Sequence, residues 1–481
     1  MRRFLSSDEA QALVKRAMGL AAGGGSTEVE LDTSWQGNLR WARNIITTAG
    51  DISNNRLEIE RSIRGASGTA KTNQIDDANL LAAIRRAERL LNLRRELPEE
   101  ELKHEFIEPY PRPVIWSDAT YGLDAEARAT GMLQVTQSSV GAGVQSAGYV
   151  QVAAHGVATM DEDRVWYYPY TTAQFSITVQ DAAASAAGWA GVDGNDWSKL
   201  DAAGLTAIAL DKCVRSRNPV AIEPGYYTAI LEPQAVADFV SLLFTPETLD
   251  RESAEAGPPN SPSDSRYFDA NLHGSQRLLG PYTRAIGQSK IGERVIDERL
   301  TVSSDPMDPE LSFPPFHGWQ VFHPVTWIKD GVLQELAYAR SYAVKMLGKD
   351  TGGLPSTGSY RLSGRGEAPS VDEMIATTKR GVLVTRFGGV PRHPLDVAMT
   401  LTGYTRGGVW LIENGKITKP VRNFRFTESP MIALNKVEQI GVPKRVFRPK
   451  YGDDFPEGYS PVMVPALKIR DFNFSSLAES I

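Results

Sequence analysis

Six histidines (His104, His155, His273, His317, His323 and His393) and a single cysteine, Cys213, are the side chains best suited to hold a metal or supply a nucleophile. A helical zinc site needs two histidines one turn apart with a neighbouring acid, as in His-Glu-x-x-His. No two histidines here have that spacing. His104-Glu-Phe-Ile-Glu108 begins like the motif but ends in Glu108, and Pro109 argues against a continuing helix. His317 and His323 lie six apart in a strand-like segment. At ~3.3 Å per residue they sit about 20 Å apart, so they share an ion only if the segment folds back.

Other chemistries leave weaker traces. A Ser/His/Asp triad can be assembled from distant residues, but no Gly-x-Ser-x-Gly elbow marks one. Gly141-Ala-Gly143, Gly352-Gly353 and Gly364-Arg-Gly366 lack the Gly-Lys-Ser/Thr of a phosphate loop. Cys213 falls in the apolar helical stretch Leu205–Val214, where a buried thiol acts as a small hydrophobe. One cysteine allows neither an internal disulfide nor a multi-cysteine zinc site.

These residues must be positioned by mixed elements. Ser6 and Glu9 form a capping box for a helix that stops at Gly23-Gly24-Gly25. Thr27–Leu31 and Leu39–Ile46 read as strands, and Leu57, Ile59 and Ile63 alternate with Glu58 and Glu60 as in a half-exposed strand. Asp76 starts a helix carrying Leu80, Leu81, Ile84, Ala87 and Leu91. Helices are also expected over Leu123–Val135 and Asp201–Arg217. Ser146–Met160 and Val165–Asp181 read as paired strands around Asp161-Glu-Asp163. Tyr226–Leu231 is a strand leading into a helix with Pro233 at its first position. Residues 246–269, rich in Pro, Ser, Asp and Glu, read as a loop or lid. Beyond them come short strands. Asn414-Gly415 and Asp330-Gly331 mark hairpins that need positive φ, while Ser370 with Glu373 and Ser429-Pro430 start helices.

The chain has 481 residues, which predicts two or three units. A charged, proline-containing connector over 94–120 and a change of texture near Pro219 suggest divisions 1–105, 106–222 and 223–481. The pattern predicts an α+β protein: α/β with antiparallel strands first, then a mostly antiparallel β domain. Net charge is −6, which argues against nucleic acid as the main partner. Neither a signal-peptide core nor an apolar run of about 18 residues is found, so a cytoplasmic protein without a membrane span is expected.

Several segments in order resemble the TldD/PmbA family. They are Leu39-Arg-Trp-Ala-Arg-Asn44, Gly68-Thr-Ala-Lys-Thr-Asn73, Ser304-Asp-Pro306, Lys329-Asp-Gly-Val-Leu333, Ser356-Thr-Gly-Ser-Tyr-Arg361, Gly381-Val-Leu-Val-Thr385 and Gly407-Gly-Val-Trp-Leu-Ile-Glu-Asn-Gly-Lys416. The resemblance implies a role in proteolysis of peptides or unfolded proteins. It also implies, for catalytic TldD-type members, His-Glu-x-x-x-His after the strand matched by Tyr226–Leu231, and a later cysteine ligand. Here that stretch is Leu231-Glu-Pro-Gln-Ala-Val236, and no cysteine follows Cys213. Leu231 and Val236 stand at the histidine positions and only Glu232 remains, better suited to a helix N-terminus than to base chemistry. The pattern resembles the TldE (PmbA) type. That implies no metal on this chain, zinc on a TldD-like catalytic partner in a heterodimer, and a peptide or unfolded protein as substrate. Arg406, Gly407, Gly408, Val409 and Trp410 are the expected peptide-binding segment, since glycines let another backbone approach; turn glycines beside a core tryptophan are the alternative. A stand-alone hydrolase and a non-proteolytic peptide-binding module are the rival functions.

Overall fold

The computed structural model describes residues 4–21, 23–63, 66–93, 113–161, 164–183, 185–255, 280–285, 287–317, 320–349, 352–390, 398–448 and 460–478. His104, His273, His393, most of the 94–120 connector and residues 256–269 of the expected lid lie outside them. The described start of that stretch is a turn over 246–248 that leads to a bridge between Asp250 and Ala337. A short helix follows, Arg251–Glu255, whose Arg251 bonds Glu255 and Glu335 at 2.9 and 3.2 Å.

The first half repeats one plan. Helix α1 (Ser7–Leu20) precedes β1 (Ser26–Ala42), β2 (Ile45–Ile63) and β3 (Ala66–Thr72), and α2 (Asp77–Leu93) follows. Then α3 (Asp118–Gly122) and α4 (Ala125–Gly141) precede β4 (Gln145–Met160), β5 (Val165–Gln180) and β6 (Ala187–Gly194), and α5 (Ala202–Arg215) follows. The two triplets join through β1 and β4 into one antiparallel sheet of order β3-β2-β1-β4-β5-β6. The division expected at 105/106 therefore falls inside one sheet. The connector there links two halves of a shared hydrogen-bonded layer.

Thr27–Leu31 and Leu39–Ile46 are not separate strands. β1 runs unbroken to Ala42 and turns through Arg43 and Asn44, at φ 52° and 63°. The capping box of α1 forms as expected. Val29, Leu31, Leu57 and Ile59 meet Leu13, Val14, Leu80 and Ile84 of α1 and α2 in one cluster. Leu39, Phe175 and Ile177 meet Met132, Val135, Ala209 and Cys213 in another. One face of the sheet is thus helix-covered and apolar.

The second half opens with β7 (Gly225–Leu231) and α6 (Pro233–Val240). β7 lies between strands 380–388 and 467–477; the circuit continues through 424–428 and 401–413 and closes where 401–413 pairs with 380–388. Phe239 of α6 packs on Phe387, Phe426 and Phe472, at ring separations of 6.1, 5.7 and 5.3 Å. Both Asn414-Gly415 and Asp330-Gly331 form their hairpins with positive φ. The protein is α+β with mostly antiparallel sheets.

Candidate functional site

The junction of β7 and α6 is where the metal ligands would stand. Leu231 ends β7 between Val384 and Leu467, and Val236 lies one turn into α6; both are fully buried. Their side chains have no lone pair, so neither can hold a zinc ion, which needs at least three donors. Glu232 is the N-cap of α6 but makes no side-chain cap bond. Its amide donates to the Val384 carbonyl at 3.0 Å, and its carboxylate accepts from Lys212 Nζ of α5 at 2.6 Å. The local chemistry does not fit a catalytic zinc. Among the described residues no three His, Cys, Asp or Glu side chains come together as a metal site.

The histidines do not change this. His155 is buried on β4 and stacks on Tyr170 at 4.7 Å. Phe316-His317 pairs with Gln320-Val321, so the segment does fold back, contrary to the extended reading. His323 is half-buried, and burial lowers its pKa. Cys213 is buried; desolvation first, then Asp181, pushes its thiol up to about 11, which leaves it a poor nucleophile.

The Arg406–Trp410 segment has intramolecular work. Gly407 and Gly408, at φ 71° and 117°, oppose the single residue Thr385 in a bulge between Val384/Val409 and Arg386/Arg406. A Cβ on Gly407 would come within 2.8 Å of Cβ of Trp189 on β6, so the close approach made there is that of this chain's own first sheet. Trp410 is buried and donates Nε1–H to the Arg215 carbonyl at 3.2 Å. Strand 401–413 carries 380–388 on one side and 424–428 and 416–420 on the other. On that second side the paired residues are 401–404 and 410–413, which flank Arg406, Gly407 and Gly408.

Residues 444–448 bind the two halves together, which no local sequence pattern announces. Arg445 pairs with the buried Asp193 of β6 at 2.9 Å. Gln174 of β5 donates to the Arg448 carbonyl at 3.1 Å. Gln234 of α6 grips the Phe447 backbone twice, at 3.0 Å each, and donates to Asp238 at 2.9 Å. Asp238 also accepts from the Phe387 amide at 3.0 Å; burial raises it to about 6, against those bonds. The only local signal is Gln234 and Asp238 one turn apart on a helix otherwise apolar.

The second face of the large sheet is polar along β1, while Val157, Tyr168 and Tyr170 on it pack with Phe313, Phe316 and Phe322. Register places Glu28, Glu30, Asp32, Ser34, Gln36 and Asn38 of β1 on it, opposite Thr159, Val157, His155, Ala153 and Gln151 of β4 from Glu30 onward. A shallow cavity on it is lined by Asp32, Asn54, Arg56, His155 and Tyr170, with Arg56 and Asp32 paired at 3.2 Å. Toward one end Glu28 faces Glu60, and Glu30 faces Glu58. Desolvation first, then these like charges, raises Glu28 to about 8 and Glu30 to about 7. A folded-state pKa above the unfolded value gives stability that is full below about pH 4.5 and is lost as pH rises through 7 to 8. Glu28→Gln and Glu30→Gln should each stabilise the protein by about 1–3 kcal/mol at pH 8.5 and have little effect at pH 4.5. Denaturant midpoints at the two pH values check this.

Residues 275–476 match the family model described as the PmbA/TldA metallopeptidase C-terminal domain. A metalloprotease TldD homolog from Haemophilus influenzae is 30% identical over 125 residues, covering 24% of this chain and 24% of that protein. A metalloprotease from Archaeoglobus fulgidus is 28% identical over 163 residues, 31% of this chain and 36% of that one. The matches thus span well under half the length of these relatives. Over nearly the whole chain the fold is that of TldE from Thermococcus kodakarensis, with TM-score 0.71, 17% identity, and coverage of 96% of this chain and 99% of that one. A solved Thermotoga maritima structure gives TM-score 0.76 at 15% identity, covering 96% and 99%. Residues 275–476 thus resemble the PmbA/TldA metallopeptidase C-terminal domain, and both halves of the chain have the fold of the solved TldE.

Proposed function

We propose that this chain is the metal-free, TldE-like subunit of a cytoplasmic TldD-type peptidase complex, completing a chamber in which a separate zinc-bearing subunit cuts peptides or unfolded proteins. The observation that supports this reading is the pair of buried aliphatic side chains, Leu231 and Val236, at the two positions that resemble the zinc histidines, beside a glutamate tied to Lys212. The Glu232 carboxylate is held in an ion pair with Lys212 of α5 at 2.6 Å. The chain therefore contributes shape and contacts to the complex, while bond cleavage belongs to its partner.

Metal content by mass spectrometry on the pure chain and on the chain co-expressed with a TldD-type protein from the same genome tests the proposal. The expected result is no stoichiometric zinc on the chain alone, and about one zinc per heterodimer together with peptide cleavage. Stoichiometric zinc on the chain alone, or a stable homodimer that never takes up a TldD-type subunit, overturns it.

A further inference from the structure

The cavity at Asp32 and Arg56 has no task in the peptidase reading. Two neighbouring rows of residues line it across adjacent strands: Arg56, Asp32 and Val157 in one, and Asn54, Ser34, His155 and Tyr170 in the other. Its volume is about 70 Å³. At about 10–15 Å³ for a water-sized group, that leaves room for roughly five or six non-hydrogen atoms, the size of glycine or alanine. The wall is firm. Val157 and Tyr170 belong to the apolar cluster with Phe313, Phe316 and Phe322, and the His155 ring stacks on Tyr170 at 4.7 Å. The charged pair is not sealed off. Arg56 Nη2 donates to Asp32 at 3.2 Å, yet the two side chains stay 27% and 13% exposed. Arg56 makes no other side-chain hydrogen bond among the described residues, and Ser34 and Asn54 make none there.

We propose that this cavity binds a small α-amino acid in its zwitterionic form, with the carboxylate on Arg56 and the ammonium on Asp32. The ion pair presents a positive and a negative atom 3.2 Å apart. An α-amino acid carries its own two charges about 3 Å apart, across the N–Cα and Cα–C bonds. Laid head to tail against the pair, each charge meets its opposite, and the four alternate around a square. Ser34 and Asn54 in the next row supply a hydroxyl and an amide, which can donate to the carboxylate or accept from the ammonium. Val157 gives the ligand's carbon atoms an apolar neighbour.

Other occupants fit less well. Arg56 already faces Asp32, and its charge also reaches Glu30. A lone carboxylate or a phosphate therefore meets two carboxylates for one guanidinium, while a lone amine meets the guanidinium. For a metal ion, no three His, Cys, Asp or Glu side chains come together among the described residues. The site lies wholly on this chain, so it stands or falls apart from the partnership proposed above. Its occupant is an end product of peptide hydrolysis, which gives the site a meaning within that role without depending on it.

The test is saturation-transfer NMR on the full chain with L-alanine, acetate, ethylamine and glycylglycine. Saturable binding of L-alanine is expected, with displacement by glycine. Acetate and ethylamine, which carry one charge each, should bind about tenfold more weakly or worse. So should glycylglycine, whose two charges stand too far apart to match the pair. Asp32→Asn and Arg56→Gln should each weaken L-alanine about tenfold or more, the scale of one charge-assisted hydrogen bond. Each single variant leaves the other charge unpaired. The double variant Asp32→Asn, Arg56→Gln removes both together and should also lose binding, with near-ultraviolet circular dichroism reporting its fold. The ligand series needs no variant. Absence of saturable binding means that the cavity holds water only, and overturns the proposal. Equal affinity for acetate, ethylamine or glycylglycine, or wild-type affinity in the folded double variant, overturns it as well.

Discussion

Arg445→Met should destabilise the protein by about 3–5 kcal/mol, the scale found when one partner of a buried ion pair is removed. Asp193 is 2% exposed and Arg445 Nε lies 2.9 Å from it. Without the guanidinium, the carboxylate is left in a low-dielectric site with the Arg448 backbone as its remaining bonded neighbour. Burial already holds the Asp193 pKa above its ordinary value, with Arg445 opposing that rise. Removing Arg445 raises it further. A raised folded-state pKa means stability is lost as pH climbs through it, so the penalty should be larger at pH 8 than at pH 5. Adding Asp193→Asn should recover much of the loss, because a neutral amide costs far less to bury than an unpaired charge. Urea unfolding of the single and double variants at both pH values measures this. A penalty below about 1 kcal/mol at pH 8 would show that water reaches the pair.

The same ion pair shows where sequence reading ends. Asp193 and Arg445 are 252 residues apart, and nothing in either local pattern announces the other. Local chemistry is legible wherever it decides the outcome. Asn414-Gly415 and Asp330-Gly331 supply positive φ and make hairpins; Ser6 with Glu9 and Ser370 with Glu373 make capping boxes. The strand-to-helix step at Leu231–Pro233 is legible for the same reason. β1 does not read as one strand, because Asp32, Ser34, Gln36 and Asn38 interrupt its apolar residues like a loop. They do so because they share one face of the strand, opposite the helix-covered face, and that is a tertiary fact. The turn at Arg43-Asn44 escapes a sequence reading because arginine is an unusual residue for positive φ. Gly407 lies against Trp189 of this chain's own β6, and Gly408 against the Trp410 ring.

Gly188→Ala should cost about 3 kcal/mol, at the upper end for overpacking, although the change adds a single methyl group. A Cβ on Gly188 would stand 2.0 Å from the Ala209 carbonyl oxygen and 2.5 Å from the Cys213 amide nitrogen. Both are backbone atoms of α5, and a helix cannot yield as a flexible side chain can. Gly68 on β3 meets α2 in the same manner, 2.2 Å from the Ala87 carbonyl and 2.3 Å from the Leu91 amide. Each edge strand of the shared sheet thus has one glycine that seats a helix backbone directly on it. The two α-βββ-α units solve the same packing problem the same way. Gly131, inside α4, has no atom within 4 Å of the place an added methyl group would take, so there alanine should stabilise by about 0.5–1 kcal/mol. Thermal or denaturant midpoints should therefore fall for Gly188→Ala and Gly68→Ala and rise for Gly131→Ala, opposite directions for one chemical change. If Gly188→Ala also proved neutral, α5 would have to ride on the sheet loosely enough to retreat, and the Lys212–Glu232 pair it carries would lose its fixed footing at the β7–α6 junction.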